Sequence, residues 1–145
     1  MKRPAEKGLQ KWHAVVREPS ESLLDLLLAA DVVFHSPIVH TPQRGPGLAK
    51  LYLMAAFQVL AGGGKDATAE RRFRYVREVV GERDAVLEFT TEIDGIAING
   101  VDMIRWNDDG KIVDFKVMLR PLKAIQMVHA QMGRMLEAMK PSPDA

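Results

Sequence analysis

The sequence predicts an α+β fold: a cone-shaped, curved, mixed or antiparallel β-sheet with N-terminal helices packed on its concave face, plus a C-terminal helix. Three observations lead there. The first half carries apolar residues at helical spacing, interrupted by Pro and Gly. The second half changes period, and stretches between Arg72 and Leu119 alternate apolar and polar residues with turn signals between them. After Pro121 the helical spacing returns. A sheet covered on one face by helices can enclose a pocket between its layers.

Leu9 to Arg17 forms a first helix with Trp12, Val15 and Val16 on one side. Pro19-Ser20 interrupts it, and Ser20 or Ser22 is placed to cap a second helix carrying Leu23, Leu24, Leu26, Leu27 and Leu28. Asp31 to Ser36 reads as a short strand stopped by Pro37, followed by a Pro/Gly loop. Leu48 to Leu60 is a helix rich in Leu, Ala and Met, ended by Ala61-Gly62-Gly63-Gly64. Arg72 to Val80 alternates roughly, with Phe73, Tyr75 and Val79 on one parity. Ala85 to Ile93 alternates better, with Leu87, Phe89, Thr91 and Ile93 on one face. Asp94-Gly95 and Asp109-Gly110 supply hairpin turns around the next strands, Asn99 to Trp106 and Ile112 to Leu119. Pro121 opens a helix to about Lys140.

The chain of 145 residues predicts a single domain with an ordered core over about 9–140. With 47% hydrophobic and 27% charged residues it has the composition of a soluble globular protein. A net charge of +1 gives no field that would draw nucleic acid or anionic lipid. Zero Cys removes disulfides and thiolate chemistry and fits a reducing compartment. The charged start has no signal-peptide core and no apolar run is long enough to span a membrane, so the expected location is the cytoplasm. The four His show no metal-ligand spacing, and Gly62-Gly63-Gly64-Lys65 lacks the rest of a phosphate loop, so no metal or cofactor is expected. Arg72 and Arg74 alternate with Phe73 and Tyr75 as a solvated sheet face, not a nucleic-acid surface.

Asp102 is the most informative residue. It lies within Gly100-Val101-Asp102-Met103-Ile104-Arg105-Trp106, and a carboxylate with such flanks is costly to bury unless it is paired, protonated or used. Strand alternation puts Gly100 and Ile104 on its face and turns Val101 and Met103 away.

The run Gly100 to Ile112, with its acid and short Asp/Gly turn, resembles the nuclear transport factor 2-like superfamily, closest in style to SnoaL-like polyketide cyclases and ketosteroid isomerases. Ala30 to Pro37, followed by a loop with Gly45 and a helix, is the other half of a resemblance covering roughly Trp12 to Leu122. It implies a cystatin-like α+β cone and the family habit of homodimers. It aligns Asp102 with the isomerases' protonated Asp, an acid that an apolar site keeps neutral so that it can donate. The isomerases' general base, an Asp before the strand-ending Pro, is here Ser36, which has no useful basicity. The oxyanion-hole Tyr falls on Trp12, whose indole donates but does not accept. The acid that epoxide hydrolases of this fold place near the end of the last long strand falls on Val117.

The resemblance therefore implies a small, largely apolar carbonyl-type or polycyclic ligand in the cone. A cofactor-independent isomerase, cyclase or lyase step would use Asp102 as acid/base or oxyanion donor. His35 is the second catalytic candidate, provided the Pro37 kink turns it toward the pocket. Trp12, Phe34, Ser36, Tyr52, Leu87, Phe89, Ile104, Phe115, Val117 and Leu119 are the candidate pocket residues. The alternatives are a non-catalytic small-ligand binder, favoured by Ser36, and a dimerising assembly module. In the last helix, Leu122, Ile125, His129, Met132, Leu136 and Met139 follow a 3–4 spacing that reads as packing or dimerisation.

Overall fold

The computed structural model describes residues 2–60 and 72–139. The helix stop at Ala61-Gly62-Gly63-Gly64, Lys65, Arg71, Lys140 and the tail Pro141 to Ala145 lie outside the described residues. Helix α1 (Pro4–Arg17) and helix α2 (Glu21–Leu27) lead into strand β1 (Leu28–His35) and the two-residue β2 (Gln43–Arg44). Helix α3 (Pro46–Leu60) precedes the strands β3 (Arg74–Val80), β4 (Asp84–Ile93), β5 (Ile96–Trp106) and β6 (Ile112–Arg120). Helix α4 (Leu122–Met139) follows.

The six strands form one open, mixed sheet in the order β2-β1-β6-β5-β4-β3. β1 runs parallel to β6, and every other pair is antiparallel. Helices and curved sheet together make the expected α+β cone. Local chemistry explains the boundaries. Pro4 stands in the first turn of α1, so this helix begins five residues before Leu9 and buries Ala5. The Ser20 hydroxyl accepts from the Leu23 amide and caps α2. Asp94 and Gly95 both take positive φ, 49° and 80°, as a tight hairpin between β4 and β5 requires. Between β5 and β6, the Asn107 side-chain oxygen accepts from the amides of Asp109 and Lys111, and Gly110 supplies φ 76°.

The core lies between the helices and the inner sheet face. Trp12 of α1 meets Phe57 of α3 and Phe115 of β6, with ring centroids 5.6 and 4.9 Å apart. Gly8 is where α1 comes down onto the sheet: a Cβ there would sit 2.1 Å from Trp106 Nε1. Among the described residues that buried indole N–H has no hydrogen-bond partner.

Two expectations about faces need correction. In α4 the buried residues are Ala124 and Val128, with Met132 packed behind them, while Leu122 is 67% exposed. The helix packs on α3, β5 and β6, and the small Ala124 sets the contact line instead of the larger residues of the 3–4 stripe. In β3, Tyr75 and Val79 do not share a face. The register with β4 shifts between Tyr75 and Arg77, so Tyr75 pairs with inward Phe89 while Val79 pairs with outward-facing Val86.

Candidate functional site

Strand β5 places Asp102 opposite Leu87 of β4 and Val117 of β6, on the inner face of the sheet. The alternation along β5 buries Ile98, Gly100, Asp102, Ile104 and Trp106 together. A Cβ on Gly100 would sit 2.6 Å from the Phe89 ring and 2.8 Å from the Met118 carbonyl oxygen. The glycine two residues before the acid therefore lets Phe89 lie across β5 beside it.

Asp102 opens into a cavity between α1, α3 and the sheet. Trp12 and Val16 come from α1, and Leu53, Ala56, Phe57 and Leu60 from α3. Phe73, Tyr75, Phe89, Phe115 and Val117 complete the wall. The Tyr75 hydroxyl donates to Asp102 Oδ2 at 2.6 Å and accepts from Trp12 Nε1 at 3.0 Å. Asp102 Oδ1 has no hydrogen-bond partner among the described residues, which leaves it for the cavity.

Electrostatics follow from this burial. Desolvation pushes the Asp102 carboxyl from 3.8 up to about 7, and the Tyr75 hydrogen bond pulls the other way without cancelling it. Burial, then the neighbouring Asp102 charge, hold the Tyr75 phenol well above its ordinary value, so it keeps its proton as a donor. Near neutral pH the carboxyl exchanges a proton readily, which suits donation to a ligand oxygen or proton transfer.

The sequence candidates divide into three groups. Trp12, Phe89, Phe115 and Val117 line the cavity with Asp102. Phe34, Tyr52, Leu87 and Ile104 pack elsewhere: Phe34 contacts Tyr52 and Phe115 at 5.4 and 5.9 Å, while Leu87 and Ile104 are fully buried core. His35, Ser36 and Leu119 line a separate surface hollow with His40 and Lys116. His35 is not turned toward Asp102. It pairs with Asp114 at 2.9 Å, and Asp114 precedes inward-facing Phe115 on β6, so strand alternation keeps His35 on the outer face. The Ser36 hydroxyl accepts from the amides of Ile38 and Val39, a turn role.

Tyr75, Val16, Phe73 and the α3 residues are wall positions that the sequence reading missed. Tyr75 was within reach, since it shares its parity with Phe73 up to the register shift. The α3 residues carried little signal, because that helix is apolar on most sides and does not declare a pocket face. Among the described residues no group of three or more His, Asp or Glu side chains is placed to hold a metal ion.

This structure is similar to that of a steroid delta-isomerase from Pseudomonas aeruginosa. The two are 34% identical over 95% of each chain, with a TM-score of 0.83. The chain belongs to the nuclear transport factor 2-like, ketosteroid isomerase-like superfamily. A second relative in it, an uncharacterised protein with a cystatin-like fold from Silicibacter pomeroyi DSS-3, is 31% identical over 88% of this chain and 83% of its own, at a TM-score of 0.74. The fold is shared at 20% identity and a TM-score of 0.56 by a Mycobacterium tuberculosis protein solved with estradiol-17beta-hemisuccinate, over 84% of this chain and 97% of that one. No family model and no curated protein matches the chain. No helix among the described residues is long and apolar enough to cross a membrane.

Proposed function

We propose that this superfamily member binds a small, largely apolar compound with a carbonyl, enol or phenol oxygen, and that Asp102 donates a hydrogen bond to that oxygen. The observation that carries this reading is the carboxyl itself. It is buried on an apolar wall, one oxygen is held by Tyr75, and the other is left for the cavity. A neutral carboxylic acid there donates to an oxygen that gains negative charge, and with apolar surroundings that bond strengthens as the charge grows. An isomerase, cyclase or lyase step through an enol would use the same proton, with Asp102 returning it to carbon or oxygen. A steroid-bound protein of the same fold supports a ligand of apolar character.

A non-catalytic binder is the second reading. It is favoured by the absence of any other carboxylate or His from the described cavity wall. One experiment addresses both. Phenols of graded acidity are titrated at pH 6 into wild type and Asp102→Asn, and exchange of deuterium into an enolisable ketone is followed alongside. The donor reading expects affinity that rises with phenol acidity in wild type and flattens in the variant. Equal, acidity-independent binding to both proteins would overturn it. Exchange above the buffer rate that disappears in the variant supports catalysis, and exchange at the buffer rate leaves a binder.

Two further assignments accompany this reading. A second copy of the chain is the partner, seated on the outer sheet face. There Val79, Met103 and Met118 are exposed among the Arg77–Glu88 and Arg105–Asp84 ion pairs, so both charges are available to a twofold-related copy. Charge substitutions at Met103 and Met118 should halve the mass measured by light scattering. The cytoplasm is the location, in keeping with a chain that has no cysteine.

A further inference from the structure

Resting on that reading, we infer that Trp12 is a positioning residue: its indole N–H commits the Tyr75 proton to Asp102 Oδ2, so the acid carries its own proton on Oδ1 and the site takes a ketone in preference to the corresponding alcohol. The Trp12 N–H donates to the Tyr75 oxygen at 3.0 Å, and the Tyr75 hydroxyl lies 2.6 Å from Asp102 Oδ2. An indole nitrogen donates and does not accept. The Tyr75 proton therefore has no acceptor in Trp12, and Asp102 Oδ2 receives it. A residue at position 12 that could also accept, such as Tyr or Ser, would leave that direction open.

Packing keeps the three groups in this order. Trp12 is 2% exposed, with Phe57 and Phe115 against its ring at 5.6 and 4.9 Å. Phe73 and Phe89 meet the Tyr75 ring edge-on at 5.4 and 6.3 Å. α1, β3 and β5 each supply one member of the chain, so none can turn away without parting core contacts. A neutral carboxyl has one proton to place. With Oδ2 occupied as an acceptor, that proton sits on Oδ1, which is left for the cavity. Among the described wall residues only Trp12, Tyr75 and Asp102 have polar side-chain atoms, and the protons of the first two are committed to the chain. A ketone oxygen accepts from Oδ1 and needs no further partner. An alcohol can accept there too, but its own proton is then buried unpaired, which weakens binding roughly tenfold or more.

The test is a pair of ligands that differ only at the oxygen, so that ring burial and cavity size cancel between them. 2-Indanone and 2-indanol are titrated by calorimetry at pH 5 into wild type, Trp12→Phe, Tyr75→Phe and Asp102→Leu, each checked for folding by circular dichroism. Wild type should bind the ketone at least about tenfold more tightly than the alcohol. Trp12→Phe keeps an aromatic ring and loses the N–H, which frees the Tyr75 oxygen to accept from Asp102 and lets Oδ1 accept in turn. Its two affinities should then lie within about threefold of each other, whereas a merely structural role would weaken both compounds alike and keep the ratio. Tyr75→Phe, which removes the middle link, should narrow the ratio in the same way and stands in if Trp12→Phe does not fold. Equal affinities or a preference for the alcohol in wild type, or an unchanged ratio in the folded variants, overturns the role of Trp12 and leaves the Asp102 reading intact. No binding of either compound to wild type, or wild-type binding of both by Asp102→Leu, overturns the Asp102 reading and this inference with it.

Discussion

Replacing Asp102 with Asn keeps the size of the side chain and removes its titration. In wild type the folded carboxyl binds its proton up to about pH 7, against 3.8 as the ordinary value. The folded state therefore holds more protons than the unfolded chain between those values, and stability falls as pH rises through that window. A shift of that size, at about 1.4 kcal/mol per unit, is worth roughly 4 kcal/mol in all, of which roughly 3 is lost between pH 5 and 8. The variant lacks this loss. Its amide oxygen accepts from Tyr75 in place of Oδ2, and its NH₂ faces the cavity. Urea unfolding of both proteins at pH 5, 6, 7 and 8 tests the point, because other titrating groups cancel in the difference. The variant should gain on wild type by about 3 kcal/mol across the series. Parallel pH profiles would refute the reasoning, and a widening in favour of wild type would mean that a cationic or donor group holds the carboxylate charged.

Tyr75→Phe removes the one hydrogen bond among the described residues that lowers the Asp102 pKa, so the pH at which phenol binding is lost should move upward, and unfolding should cost about 1 kcal/mol less. Gly8→Ala drives a methyl group into the Trp106 indole and should destabilise by about 2 kcal/mol or more, seen as a lowered urea midpoint with an unchanged slope. His35→Ala, on the outer sheet face, should leave phenol affinity within twofold of wild type, and a tenfold loss would return His35 to the site. Ser20→Ala should cost about 1 kcal/mol through the lost cap of α2, measured by thermal unfolding.

The fold was legible because its strands obey a period of two and its turns use residues with few other roles. Asp94-Gly95 and Asn107 to Gly110 mark their hairpins from sequence alone, since positive φ and Asx turns favour those residues. Asp102 was legible as the odd residue on an apolar parity. Its partner was harder to see, because a phenol in a strand looks like ordinary core until the register is known. The shift after Tyr75 also sends Val79 to the other face, which no count along one strand reveals. His35 was assigned to the pocket on the strength of a kink at Pro37, whereas the strand stays regular through His35 and holds it beside Asp114. The α3 wall was hidden for the opposite reason: too many of its positions are apolar for spacing to select among them.

The two tryptophans occupy different worlds within one small core. Trp12 donates its indole N–H to Tyr75 on the cavity wall, whereas the Trp106 N–H, against Gly8, has no acceptor among the described residues. They are the only two in the chain, so its intrinsic fluorescence contains a reporter and a reference. A ligand beside Asp102 alters the emission of the first and leaves the second unmoved, while loss of the α1 contact alters the second. Occupancy and integrity can thus be followed separately in one unlabelled sample.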